Sequence, residues 1–436
     1  MGLYFGTDGI RGVANREITP DLAFRCGNAL AAVGAGKIVV GRDTRRSGDA
    51  LAAALAAGAL SGGCDVIYAG VAPTPGVAFL ASAAGCFGVV ISASHNPAAF
   101  NGIKIFSEKG VKLSDAQEEI IERHMAAPSL ADACGCGSMS FMRSADSYTD
   151  FLVSSAAERL DGLKIVLDCA NGATCETAVN VFGALGAEVF ALGVSPDGEN
   201  INDGCGSLHP SAAAETVVRL GADAAFCFDG DGDRVIAVDE NGRVVDGDML
   251  LYILAAAGKK KGKDIGVVVG TSHTNMGVEK ALDGIGVRLL RADIGDKYVR
   301  EMMEQSGAAL GGEQSGHIIF LDYATTGDGQ LSAIQLLRVL AHTGKKLQTL
   351  ADEMEVYPQV LINVRVSNYG RVRFADDKEI KNAIASAEEE LGDTGRVLVR
   401  VSGTEPLVRV MLEGKDQQKI RELGESIAEV VRERLV

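Results

Sequence analysis

The chain has 436 residues, 47% hydrophobic and 23% charged, with a formal net charge of −16 and a pI near 4.9. A field this acidic argues against a nucleic-acid partner, because binding a polyanion needs clustered Lys and Arg. The length allows about three or four domains.

From the N-terminus, Met1-Gly-Leu-Tyr-Phe-Gly6 has no charged and then apolar signal region, and Gly6 stands where a myristoylation site needs Ser or Thr. The Ala-rich stretch Leu51 to Leu60 is too short to span a bilayer, so no membrane partner is expected. Nine cysteines, with no C-x-x-C pair and no zinc-ligand spacing, read as small buried hydrophobes in a reducing compartment, and a cytoplasmic location is expected. The one basic run, Lys259-Lys-Lys261 with Lys263, reads as a solvated loop.

Three parts of the chain repeat one pattern of apolar strand, turn, Ala-rich helix and second strand. The first runs from Lys37-Ile-Val-Val-Gly-Arg-Asp43 through a helix ending near Leu60 to Asp65-Val-Ile-Tyr68. The second joins Lys164–Asp168, a helix near Glu176 to Phe182, and Ala187–Ala191, and the third joins Asp264–Val269, a helix near Met276 to Leu282, and Val287–Leu290. Continuous Val and Ile strands alternating with helices predict three related α/β domains in tandem, with mixed sheets built from right-handed βαβ units. The remainder differs: a strand at Val360–Val366, a charged helix over Lys378–Leu391, strands at Arg396–Val401 and Leu407–Leu412, and an amphipathic C-terminal helix predict a small α+β domain. Expected divisions are domain I at 1–150, domain II at 151–250, domain III at 251–360 and domain IV at 361–436.

Four polar segments carry candidate chemistry. Ser94 follows the apolar run Cys86–Ile91, on a turn where Asn96-Pro97 blocks helix propagation and a hydroxyl can project from a strand end. In Asp229-Gly-Asp-Gly-Asp233 the glycines allow a sharp turn that gathers three carboxylates, hard ligands that select Mg, Ca or Mn over zinc. A calcium EF-hand is the nearest alternative, with Glu240 at its twelfth position, but Arg234 stands where the turn glycine belongs and the flanks are β-rich. Mg is favoured because it keeps positions open for water and substrate oxygens; a polar hairpin without metal is the plainer alternative. Taken alone, Ser94 beside His95 would read as a turn serine next to a solvent-facing imidazole, since adjacent residues rarely serve each other as nucleophile and base. No G-x-S-x-G elbow is present, and with the aspartate loop a serine that accepts and returns a phosphoryl group is the better reading.

Gly311-Gly-Glu-Gln-Ser-Gly-His317 sets a carboxylate, an amide, a hydroxyl and an imidazole between glycines, a composition suited to hydrogen-bonding a polyol. Arg400-Val-Ser-Gly-Thr-Glu-Pro406, with Arg409 nearby, offers a phosphate cradle without a P-loop lysine. Either segment by itself also fits an ordinary polar turn.

These segments, joined by Phe5-Gly-Thr-Asp-Gly-Ile-Arg-Gly12 and by Asn101-Gly-Ile-Lys104, resemble in order the α-D-phosphohexomutases, over essentially the whole chain. Gln314 in the polyol loop is similar to the branch acting on glucosamine phosphates, whereas relatives acting on mannose and glucose phosphates tend to carry Met there. The resemblance implies four domains around a central active-site cleft, and an isomerase that interconverts glucosamine 6-phosphate and glucosamine 1-phosphate, feeding UDP-N-acetylglucosamine and peptidoglycan synthesis. It implies that Ser94 is a phosphoserine and completes, with Asp229, Asp231 and Asp233, the shell of one Mg2+ per chain. Glu313 and Ser315 would hold sugar hydroxyls; Arg400, Ser402, Gly403 and Thr404 would grip the phosphate that is not reacting; Arg11, Lys104 and His317 would serve the reacting end. Glucosamine 1,6-bisphosphate or a related hexose bisphosphate is implied as activator and intermediate, sugar phosphates as partners, and a homodimer by resemblance alone.

The chain departs from the family pattern at Ala98-Ala-Phe100, where an aromatic residue and then an acid are expected, and at His273, where relatives often have an apolar residue. Rival readings are a phosphomannomutase/phosphoglucomutase, opposed by Gln314; a sugar phosphatase, opposed by the separate distal-phosphate segment; and a non-catalytic sugar-phosphate binder, opposed by the intact Ser94 and aspartates.

Overall fold

A computed structural model describes residues 4–6, 8–130, 135–142, 145–263, 265–402 and 406–436. They group into two units, Met1–Thr274 with Ile285–Glu353, and Asn275–Gly284 with Met354–Val436.

The larger unit contains three mixed sheets. The first comprises β1 (Ile10–Val13), β2 (Lys37–Arg42), β3 (Asp65–Val71), β4 (Phe87–Ile91), β5 (Phe100–Phe106) and β6 (Met139–Phe141), in the order β1-β5-β4-β2-β3-β6. Its βαβ part is parallel, β2 pairing with β3 and β4, while β5 runs antiparallel to β1 and β4. The second sheet, order β11-β10-β9-β7-β8, holds β7 (Lys164–Asp168), β8 (Glu188–Leu192), β9 (Ala224–Phe228), β10 (Val235–Asp239) and β11 (Val244–Val245). In the third, order β13-β12-β14-β15, are β12 (Val267–Thr271), β13 (Arg288–Ala292), β14 (Leu310–Gly312) and β15 (Ile318–Phe320). The predicted third strand lies a few residues early, because β12 takes its register from parallel pairing with Arg288–Ala292 and with Leu310–Gly311. Strands β9 and β10 are wholly buried, as unbroken apolar sequence requires when both faces are covered.

Helix Gly48–Ser61, which contains the Ala-rich stretch, packs against Pro20–Ala32. Two glycines permit this contact: a Cβ at Gly27 would lie 1.9 Å from the Leu55 carbonyl oxygen, and one at Gly58 would lie 1.9 Å from that of Phe24. The basic run is exposed, as expected, but only Lys261 and Lys263 lie in a loop. Lys259 and Lys260 end helix Gly247–Lys260, where cations complement the negative end of the helix dipole, and Lys260 pairs with Glu353 at 3.5 Å. Among the described residues no helix is long and apolar enough to cross a membrane, and the cysteines form no disulfide.

Asp328 caps helix Gly329–Thr343 through the Leu331 N–H at 3.0 Å and accepts a hydrogen bond from Tyr148 at 2.8 Å. Burial pushes its carboxyl up to about 6, from about 3.9 in an unfolded chain. Stability from the protonated acid is thus fully present below about pH 4 and is lost as pH rises through about 6. The melting temperature of the wild-type protein, measured relative to Asp328→Asn, is expected to fall across that window; parallel curves would contradict the assignment.

The smaller unit carries the antiparallel sheet β16-β18-β17, made of β16 (Gln359–Arg365), β17 (Gly395–Val401) and β18 (Leu407–Gly414), over helices Lys378–Leu391 and Gln417–Leu435. Helix Met276–Gly284 joins this unit. Asn275 accepts from the Tyr357 N–H at 3.0 Å and donates to its carbonyl at 2.9 Å.

Candidate active site

Ser94 leaves the end of β4 with φ of +52°, in the left-handed region that costs a residue with a Cβ roughly 1–2 kcal/mol. This turn aims its fully buried hydroxyl at the second sheet, where Oγ donates to Asp229 Oδ2 at 2.5 Å. His95 Nδ1 stands 3.3 Å from the same oxygen. Burial, with Arg234 and Arg11 nearby, lowers the His95 pKa to about 4, so the imidazole is neutral at pH 7.

The aspartates occupy the connection between β9 and β10. Gly230 lets this loop approach the serine loop, since a Cβ there would sit 2.6 Å from the Ser94 carbonyl oxygen; Gly232 has φ of +72°. The loop is tied to all three sheets of its unit. Thr74, after β3, donates its N–H to the Asp231 carbonyl at 2.8 Å and its hydroxyl to Asp231 Oδ2 at 2.6 Å. From the third sheet side, Gly329 donates to Gly232 and Gly316 accepts from Val235, at 3.0 and 3.1 Å.

One carboxylate oxygen from each of Asp229, Asp231 and Asp233 lies within 4.8 Å of the others. Oδ1 of Asp231 and Oδ1 of Asp233 are buried without a hydrogen-bond partner. Burial and the neighbouring carboxylates of Asp233 and Asp231 push Asp229 well above the ordinary range, the repulsion a divalent cation would relieve. The buried triad therefore fits a metal ion, with oxygen donors suited to a hard cation. Lys104, buried on β5, supplies counter-charge: Nζ lies 2.8 Å from Asp231 Oδ2, 3.1 Å from Asp233 Oδ2 and 3.5 Å from Asp8 Oδ2. Burial opposes its charge, but the three carboxylates outweigh burial and hold it as an ammonium.

A cavity of about 420 Å³ opens beside this centre. Of the residues singled out from sequence, Arg11, His95, Asp233, Glu313, Gln314, Ser315 and His317 line it; Ser94, Lys104, Asp229 and Asp231 are buried next to those residues. Ser315 Oγ is buried without a partner, ready for a ligand hydroxyl, and Glu313 Oε1 accepts from the Gly295 N–H at 3.2 Å. Gly327 donates to His317 Nε2 at 3.0 Å, which favours the neutral tautomer with its proton on Nδ1, toward Asp233 at 3.8 Å. His273 is half-buried on the wall of the cavity.

Sequence reasoning missed several groups. Asp8 pairs with Arg11 and Lys112, and Lys112 also binds Asp296 at 2.6 Å, which lies 3.5 Å from His317 Nε2. Asp8 lay in a motif already singled out, and Arg234 served only as evidence against an EF-hand. Thr74, Lys112 and Asp296 carried no local signal.

In the smaller unit, Arg400 on β17 is in register with Arg409 on β18. Ser402 is buried; its N–H donates to the Leu407 carbonyl and its carbonyl accepts from Arg371, both at 2.8 Å. Gly403 and Thr404 lie outside the described residues.

Residues 2–132, 146–242 and 246–357 match the phosphoglucomutase/phosphomannomutase α/β/α domains I, II and III, and residues 361–430 match the C-terminal domain of the same proteins. The chain belongs to the phosphoglucomutase/phosphomannomutase family. It is 49% identical over 444 residues to the phosphoglucosamine mutase of Geobacillus thermodenitrificans, covering 99% of each chain. It is 48% identical to those of Alkaliphilus oremlandii, over 100% of both chains, and Bacillus subtilis, over 99% of both. Among solved structures, a phosphoglucomutase/phosphomannomutase family protein from Burkholderia thailandensis superposes with a TM-score of 0.85 at 25% identity, covering 100% of this chain and 98% of that one. An Aspergillus fumigatus N-acetylphosphoglucosamine mutase, solved with GlcNAc-6P and magnesium, shares the fold with a TM-score of 0.72 at 15% identity, covering 100% of this chain and 96% of its own.

Proposed function

We propose that the protein is a phosphoglucosamine mutase, interconverting glucosamine 6-phosphate and glucosamine 1-phosphate through phospho-Ser94 and a bound bisphosphate. The observation that carries this reading is the Ser94 hydroxyl, 2.5 Å from a carboxylate of the buried aspartate triad, in a chain about half identical to phosphoglucosamine mutases along its whole length. Asp229, Asp231 and Asp233, with a phosphate oxygen of phospho-Ser94, would hold one Mg2+ per chain, which would offset charge on the transferring phosphoryl group.

In the first half-reaction the free sugar hydroxyl oxygen attacks the phosphorus of phospho-Ser94. The bond from phosphorus to Oγ breaks, the hydroxyl proton passes to His317, since Lys104 is already an ammonium and can only donate, and the Ser94 oxygen takes a proton from Lys104. The bisphosphate then reverses its orientation. In the second half-reaction Ser94 Oγ returns its proton to Lys104 as it attacks the other phosphate, the bond from phosphorus to sugar oxygen breaks, and that oxygen takes the proton held by His317. Arg11 offsets charge at the reacting phosphate, and Glu313 and Ser315 bind sugar hydroxyls. To Arg400, Ser402, Gly403 and Thr404 we assign the phosphate that is not reacting. We carry forward from the sequence the domain divisions at about 150, 250 and 360, the cytoplasmic location and, from family resemblance, a homodimer.

The test combines intact mass and peptide mapping of the purified protein with incubation in glucosamine 1-phosphate, alongside glucose and mannose phosphates. Phosphate on Ser94 and conversion to glucosamine 6-phosphate are expected. A protein that stays unmodified and inert after priming with hexose bisphosphate and Mg2+ would overturn the reading. The metal assignment predicts separately that millimolar Mg2+ raises the melting temperature by on the order of 2–5 °C, that chelation reverses the rise, and that Asp231→Asn removes most of it. An equal rise in the variant would place the ion elsewhere.

A further inference from the structure

Arg45 is fully buried, and each of its five guanidinium N–H groups has an acceptor. Nε donates to Asp43 Oδ2 at 2.8 Å. The other four point at backbone carbonyls of the serine loop: one terminal nitrogen donates to Pro97 and, at 3.0 Å, to Phe100, the other to Ser94 at 2.9 Å and Asn96 at 2.7 Å. Asn202, from the second sheet's side, adds donors to the same Ser94 and Asn96 carbonyls at 2.9 and 3.1 Å. The Ser94 N–H is held by the same cluster, since it donates to Ser92 Oγ at 2.9 Å and that hydroxyl donates to Asp43 Oδ2 at 2.6 Å.

With four donors used on the loop and the fifth on Asp43, Arg45 has none left for a phosphate, and its charge is matched by Asp43. It fixes shape. The left-handed turn at Ser94 is held at the N–H and at the carbonyl at once, so Cα and Cβ cannot shift relative to Asp229 without breaking bonds at both ends. Because the clamp reads carbonyls, it is indifferent to the side chains of Ala98, Ala99 and Phe100, where the sequence departs from its relatives.

We propose that Arg45 and Asn202 form a positioning clamp that sets the rate of phosphoryl transfer to and from Ser94 without touching the sugar phosphate. The inference rests on the phosphoserine reading above. A misplacement of about 1 Å at a reacting atom costs about 100-fold in rate, and lysine cannot supply four directed donors. Arg45→Lys is therefore expected to lower kcat by roughly 100-fold or more while KM for glucosamine 1-phosphate changes less than about threefold. Phosphorylation of Ser94 by hexose bisphosphate, followed by intact mass, is expected to slow in proportion, and the Mg2+-induced rise in melting temperature to persist. Asn202→Ala, which leaves no charge unpaired, is expected to show the same signature at about 10-fold. It decides the matter if Arg45→Lys fails to fold. Wild-type phosphorylation rates in Asn202→Ala or Arg45→Lys, or a loss carried mainly by KM, would overturn the clamp. Turnover surviving in Ser94→Ala would instead overturn the phosphoserine reading itself.

Discussion

Alanine at position 94 is expected to lower mutase turnover by at least about 10⁴-fold, the scale seen when a covalent nucleophile is deleted. Serine and alanine meet the same backbone cost at φ of +52°, and the clamp on the loop is made by main-chain groups, so the fold should be unaffected. Only the hydroxyl, with its bond to Asp229 and its contact with His95, is lost. The aspartates remain, and the variant is expected to keep its Mg2+-dependent rise in melting temperature and its affinity for sugar phosphate, seen by calorimetry. A variant with normal binding and no turnover would separate phosphoryl transfer from recognition; appreciable turnover would mean that the phosphate never resides on Ser94.

A second large effect is expected far from the chemistry. Gly58→Ala should destabilise the larger unit by about 3 kcal/mol or more, because the new methyl would lie 1.9 Å from the Phe24 carbonyl oxygen, 2.8 Å from its carbon and 3.0 Å from the Asn28 nitrogen. Those are backbone atoms of the facing helix, so no rotamer change relieves the clash, and the helices Pro20–Ala32 and Gly48–Ser61 must separate. The counterpart is Gly183→Ala, in the helix Cys175–Ala184, where a Cβ would meet open space. There the substitution lowers the entropy of the unfolded chain and should stabilise by about 0.5–1 kcal/mol. Chemical denaturation of both variants checks the pair. Equal losses would show that helix contact has no part in the first effect.

Much of the architecture was legible because Val and Ile runs mark covered strands wherever they occur, and all three βαβ repeats appear close to their expected positions. The third strand drifted because its sequence is apolar on both sides of the true boundary, and only pairing with Arg288–Ala292 fixes where it begins. At the site, Ser94, the aspartate loop and Glu313–His317 announced themselves through dense local motifs. Arg45, Thr74, Lys112 and Asp296 did not. Their partners lie far away in sequence, Arg45 about fifty residues from the carbonyls it binds and Thr74 157 residues from Asp231, so no local spacing encodes the contact. Arg45 was further obscured by sitting in an ordinary charged turn after β2, where a solvated arginine is the usual outcome.

The aspartate loop takes hydrogen bonds from Thr74 on one side and is tied to Gly316 and Gly329 on the other. It is a keystone shared by segments that leave the ribosome at widely different times. A nascent chain that has released Asp233 but not yet Gly329 lacks one of those ties, so the aspartate triad is among the last features to acquire its final shape, and catalytic competence becomes a late checkpoint on assembly of the larger unit.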